Sequence, residues 1–224
     1  MEQYSYLVQR IADDVRAKFG DDASVQISDD DIIRWTNDGA RRIATENPFL
    51  QKARKTNVLE NVGLYNLGKL FATERMQKFE MVTVNGTRLD FMPHGRFLEH
   101  VRDAGPQQGD PAVAAEFGGE LSIWPVPRAS TAYGLVLYFW AYPDDVVSLD
   151  DQLTVPDRFV EALQAYVLAQ AHELDDQMES AQAKKSDFDS LQRLARASED
   201  MSPGEFYPTM TVLPDDFDYY SNGW

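Results

Sequence analysis

The sequence predicts an α+β fold: an α-helical bundle built from an N-terminal helical pair and a C-terminal helical pair, with an inserted antiparallel β region and an extended C-terminal arm. Three observations lead there. Near both ends of the chain apolar residues recur at helical spacing, as in Leu7, Ile11, Val15 and Phe19. Between Val82 and Ala141 the pattern alternates instead and is punctuated by Asn85-Gly86 and Gly118-Gly119, both hairpin signals. Beyond Ser202, Pro203, Pro208 and Pro214 interrupt regular structure while aromatic residues stay frequent.

The first helix is expected at about residues 4–19, closed by Gly20 as a C-cap. The second is expected at about 28–47. Ser28 stands three residues before Asp31 in a capping-box variant, and Asp29, Asp30 and Asp31 complement the positive end of the helix. Ile32, Trp35, Ala40 and Ile43 supply its apolar face, and Pro48 stops it. The short Gly20–Ile27 connection makes the two an αα-hairpin.

From Phe49 to Lys69 the pattern weakens, so a loop is expected, followed by a short extended piece at Leu64–Leu67. Ala72–Lys78 fits either a helical turn or a strand start. The β insertion is placed at about 79–142. Val82 and Val84 alternate with polar neighbours, turn at Asn85-Gly86 and continue with Thr87, Leu89 and Phe91. Gly95–Arg102 suits a short helix, and Gly105, Pro106, Gly109 and Pro111 a loop. A second unit, Val113–Phe117 then Leu121 and Ile123, turns at Gly118-Gly119. The third strand, Tyr133–Ala141, is apolar on both faces, which fits a central strand or one covered by another subunit.

Pro156 suits the first turn of a helix at about 156–174, with Phe159, Leu163, Tyr166, Val167 and Leu174 as its buried stripe. A break near Asp175 separates it from a helix at about 176–199, where Asp176 with Glu179 would cap a stripe of Ala181, Phe188, Leu191 and Leu194. Residues 1–201 then form a single domain, and 202–224 an extended C-terminal arm. Phe206, Tyr207, Phe217, Tyr219, Tyr220 and Trp224 load that arm with rings suited to docking, on its own helices or on another subunit.

Composition narrows the functional classes. The 224 residues carry 37 acidic and 21 basic side chains, a net charge of −16, which repels phosphate backbones and argues against sequence-specific DNA binding. There is no cysteine, hence neither a disulfide framework nor a thiolate metal site. Charges at Arg10, Asp13, Asp14, Arg16 and Lys18 do not resemble a signal peptide. The longest apolar run, Tyr133–Tyr142, falls far short of the roughly 20 residues of a membrane-spanning helix, so no membrane role is expected.

Chemistry-bearing motifs are sparse, and no catalytic, cofactor-binding or metal-binding residue is assigned. His94 and His100 lack the spacing of a zinc helix, and His172 has no histidine near it in sequence. No nucleophile elbow, phosphate loop or dinucleotide fingerprint occurs. Doubled carboxylates such as Asp21-Asp22, Asp144-Asp145 and Asp175-Asp176 lie at expected element ends, where aspartate caps helices and makes turns. A carboxylate-dependent hydrolase would need one of them in an apolar pocket. Lys52, Arg54 and Lys55 form the dense basic cluster of the first half and, with Arg41 and Arg42 upstream, would meet an acidic partner or a nucleic-acid backbone, or remain a solvated face.

The segments Ser28-Asp-Asp-Asp-Ile-Ile-Arg-Trp-Thr-Asn, Val82-Thr-Val-Asn-Gly-Thr-Arg-Leu, Gly119-Glu-Leu-Ser-Ile-Trp-Pro-Val-Pro, Tyr138-Phe-Trp-Ala-Tyr-Pro, Leu153-Thr-Val-Pro-Asp-Arg-Phe-Val-Glu-Ala-Leu and Tyr166-Val-Leu-Ala-Gln-Ala, in that order, resemble the head-to-tail adaptor, or connector, proteins of tailed bacteriophages. The likeness covers about residues 25–195. It departs at Tyr65-Asn66-Leu67-Gly68, where family members often read Tyr-x-Leu-Pro, and no motif carries over beyond Met201. The resemblance implies a virion structural protein without enzymatic activity or cofactor. It implies a homo-oligomeric ring, commonly twelve-fold, between the portal protein and a tail or nozzle protein. Packaged DNA would pass through it without specific binding, and assembly would take place in the host cytoplasm. A tail-completion or stopper protein of the same particle, a monomeric binding module and a hydrolase are the alternatives.

Overall fold

The structure is a computed structural model that describes residues 6–21, 26–72 and 74–200. Two helices lead: α1 (Val8–Phe19) and α2 (Asp29–Glu46). Leu7 does not continue α1. It is extended and bridges to Gln152, so the helix begins later than its sequence pattern suggests. Gly20 closes α1 at φ 89°, and its N–H donates to the Arg16 carbonyl. Ser28 caps α2, its Oγ accepting the Asp31 N–H at 3.1 Å and donating to the Asp31 carboxylate at 2.7 Å.

The β part follows in the order β1 (Gln51–Val58), β2 (Leu64–Asn66), a single turn α3 (Leu67–Leu70), β3 (Met76–Val84), β4 (Thr87–Arg88), β5 (Asp90–Phe91), α4 (His94–Ala104), β6 (Gln108–Gly109), β7 (Val113–Phe117), β8 (Glu120–Trp124), β9 (Val126–Pro127) and β10 (Thr131–Ala141). One sheet runs β1-β10-β3-β4 and a second β2-β8-β7-β5, while β6 and β9 pair separately. Asn85 and Gly86 turn the β3–β4 hairpin at φ 50° and 83°, as the dipeptide predicts. The two larger sheets share one core, in which Val82, Val84, Leu135, Leu137 and Phe139 meet Ala114, Leu121 and Ile123.

Two corrections follow. The loop expected after Phe49 is instead β1, an eight-residue strand antiparallel to β10, with Lys55 opposite Val136 and Ala53 opposite Tyr138. Its polar side chains need no core because it is an edge strand held by backbone bonds to β10. The strand drawn through Thr87, Leu89 and Phe91 divides as well: β4 stays with β3, whereas β5 crosses to pair parallel with β7. Leu89, buried between them, anchors the crossing.

The chain then returns to the bundle. A 3₁₀ turn (Asp157–Phe159) precedes α5 (Val160–Leu174), and α6 (Met178–Asp200) folds back against α5. Pro156 stands just before the 3₁₀ turn rather than inside the α-helix. α5 is the central helix, packed by α1, α2 and α6, with Ile11, Ile32, Ile43, Leu163, Val167 and Phe188 in the core. The break falls where the sequence places it. Asp176, however, adopts φ 56° within the turn and is not a helical cap. Leu174 and Leu194, expected in the buried stripes, are exposed, and Gln192 is buried in α6, accepting a hydrogen bond from Asn47.

Candidate docking surface

The bundle and the β part are joined where the chain leaves α2 for β1 and returns from β10. The Asn37 side chain on α2 donates to the Val146 carbonyl and accepts the Val146 N–H, both at 2.9 Å. The Gln77 side chain donates to the Ala44 and Thr45 carbonyls at 3.3 and 3.4 Å. Arg75 grips Asp145 with both guanidinium arms, 2.7 Å on the first, and Arg41 lies 4.0 Å away. The hydrogen bond from Arg75 holds the Asp145 carboxyl below its ordinary range, and the same bond raises Arg75. A general acid needs the opposite shift, so Asp145 is an unsuitable centre for a hydrolase. Because exposed ion pairs contribute little, the partly buried Asn37 pair carries more of the coupling than Arg75 does.

β10 is central in its sheet, and its two faces differ. Leu135, Leu137 and Phe139 face the shared core and are fully buried. Val136, Tyr138 and Trp140 face outward, half-buried, and belong to none of the hydrophobic cores. Register places Lys55 and Ala53 of β1 on this outer side, together with Met81, Thr83 and Lys78 of β3 and Arg88 of β4. Part of this face, lined by Lys55, Met81, Thr83, Arg88, Val136 and Tyr138, is an open depression of about 670 Å³, and Ala53, Lys78 and Trp140 continue the face beyond it. Tyr133, at φ 53° and 71% exposed, stands at its end.

Of the predicted site residues, Lys52, Arg54 and Lys55 all lie on β1, Lys52 and Arg54 on one side and Lys55 on the other. Lys52 is 3.9 Å from Asp144 and Arg54 is 3.5 Å from Glu74, so two of the three already have carboxylate neighbours within the chain. Lys55 alone joins the outer depression. Phe206, Tyr207, Phe217, Tyr219, Tyr220 and Trp224 lie outside the described residues. The three histidines serve packing: His94 stacks on Phe117, His100 meets Trp124 edge-on, and His172 lies against Phe19. Among the described residues no cluster of histidine and carboxylate side chains is placed to hold a metal ion. No helix there is long and apolar enough to cross a membrane.

Sequence reasoning missed Lys78 and Arg88 as partners of Lys55. The signal lay in the hairpin: with Asn85-Gly86 as a two-residue turn, Arg88 falls opposite Thr83, on the side of β3 that Met81 also occupies.

The family model described as SU10 adaptor protein matches residues 3–208, across both the helical bundle and the β part. No curated protein matches the chain.

Proposed function

The chain belongs to the SU10 adaptor protein family of phage head-tail adaptors, and from that premise we propose that it forms a ring between the portal and the tail. The ring, twelve-fold as is common in the adaptors it resembles, extends the DNA channel and offers the next tail component a platform. The family is a structural one rather than an enzyme family.

The observation that carries this reading is the extent of the match, which takes in bundle, junction and β part together rather than one motif. Residues 1–201 act as one domain with the β part projecting from the bundle. The net charge of −16 supports a channel lined by carboxylates, since a basic lumen would hold phosphates and slow DNA passage. Phe206, Tyr207, Phe217, Tyr219, Tyr220 and Trp224 anchor the C-terminal arm on a neighbouring subunit or on the portal. Lys52, Arg54 and Lys55 form a cationic strand edge toward an acidic partner.

Light scattering of the purified protein with and without portal rings tests the proposal. A monomeric or weakly associated protein that gains a defined multi-copy mass on the portal supports it. A protein that ignores the portal contradicts it.

A further inference from the structure

We propose that the C-terminal segment, residues 202–224, docks on the outer face of the β1-β10-β3-β4 sheet, where Val136, Tyr138 and Trp140 form the floor and Lys55, Lys78 and Arg88 the rim. This deepens the arm reading above and rests on it for which copy supplies the segment.

Three observations bear on the occupant. The face is unfilled in chemical terms: its apolar stripe belongs to none of the hydrophobic cores, and Lys55, Lys78 and Arg88 make no ion pair among the described residues. The nearby Glu80 carboxylate is already engaged by Gln51. Next, the segment is the chemical complement of the face. It carries Glu205, Asp215, Asp216 and Asp218 with no lysine, arginine or histidine, and Asp215, Asp216 and Asp218 interleave with Phe217, Tyr219 and Tyr220. Rings would cover the floor while carboxylates meet the rim.

The third observation is reach. Gln192 of α6 is bonded to Asn47, four residues before β1 begins, so α6 runs beside the junction with the β part. From Asp200 the remaining chain spans up to about 80 Å when extended, against roughly 35 Å for the length of β10. Tethering makes docking effectively intramolecular, at a local concentration on the order of millimolar, whether the sheet is its own or a neighbour's. An oligonucleotide could also use cations and rings on a sheet. The strong negative charge of the protein and the presence of a tethered acidic competitor favour the segment.

The absence of cysteine allows a clean test in the full-length chain. Ala53→Cys, on the exposed outer side of β1, is combined with Ser221→Cys, and a control pairs Ser221→Cys with Ser180→Cys at the exposed start of α6. Under mild oxidation the sheet pair should form disulfide in roughly tenfold higher yield than the control, as expected for a held rather than a freely diffusing segment. Adding Lys55→Glu and Arg88→Glu should bring the yield down to the control level. Equal yields in both pairs, or a yield that ignores the charge reversal, overturns the docking. So does an unlinked sheet pair whose face instead retains a single-stranded oligonucleotide. A disulfide within one chain leaves the docking standing and removes the neighbour-binding arm, whereas a disulfide between chains supports both.

Discussion

Asn37 and Val146 exchange two hydrogen bonds of 2.9 Å, tying the middle of α2 to the strand-to-helix return that follows β10. The pair is partly buried and spans the junction, so it sets how the β part is held on the bundle. Replacing Asn37 by alanine strands both the N–H and the carbonyl of Val146. The expected cost is about 1–3 kcal/mol, as for buried polar groups left unpaired. Equilibrium urea denaturation checks it, and a midpoint unchanged from the parent would mean that water replaces both bonds.

Gly39 sits where α2 crosses α5, and an added Cβ would meet Leu163 Cδ1 at 2.6 Å and Tyr166 Cδ1 at 2.8 Å. Two effects compete in Gly39→Ala. Helix propensity favours alanine by about 1 kcal/mol. Leu163 is fully buried, however, and the Tyr166 ring presents Cγ at 3.3 Å as well, so relief requires moving packed side chains. Overpacking of this kind costs about 1–3 kcal/mol, and a net loss of stability is expected. A raised thermal midpoint would show that α5 yields.

The Arg75–Asp145 pair gives a pH signature. The folded-state pKa of Asp145 is depressed by Arg75, so the pair stabilises the fold above the ordinary carboxylate range, and that contribution is lost as pH falls through the lowered value. Asp145→Asn should therefore lower the thermal midpoint near neutral pH and converge with the parent in strong acid. A difference that is constant with pH would assign the effect to packing instead.

Much of the fold was legible because burial and periodicity coincide. Leu135, Leu137 and Phe139 alternate with Val136, Tyr138 and Trp140, and the strand is indeed central. Asn85-Gly86 and Gly118-Gly119 turn where glycine freedom permits. β1 was not legible: Gln51-Lys-Ala-Arg-Lys-Thr-Asn presents polar side chains on both faces, since an edge strand needs only backbone pairing to β10. The split at Leu89 was hidden for a related reason, because which sheet a short strand joins is decided by tertiary pairing and not by its own alternation. The docking face was half legible. Its apolar floor showed in β10, while its cationic rim comes from three strands that only the register brings together.

The acidic charge leads to a prediction about DNA. At about 0.15 M salt, the physiological ionic strength, a titration with duplex DNA should show no micromolar affinity, because few phosphate-neutralising contacts are available. Tight, salt-sensitive binding would argue for a basic lumen.

Removing residues after Met201 should leave the thermal midpoint of the isolated protein nearly unchanged and prevent stable incorporation into the particle. Each ring lost from an intersubunit pocket forfeits about 1.5–3 kcal/mol, and together the rings offset part of the cost of ordering an extended segment. Unfolding of the truncated chain, or its normal incorporation, would show that the segment belongs to the core or is dispensable.

The ring itself is tested most directly by imaging purified portal complexes saturated with this protein by electron cryomicroscopy. The expected map shows a closed ring of identical copies stacked on the portal, continuing its channel, with the β parts projecting from the helical bundles. A single asymmetric copy at that position, or a portal left bare at saturating protein, would contradict the adaptor ring.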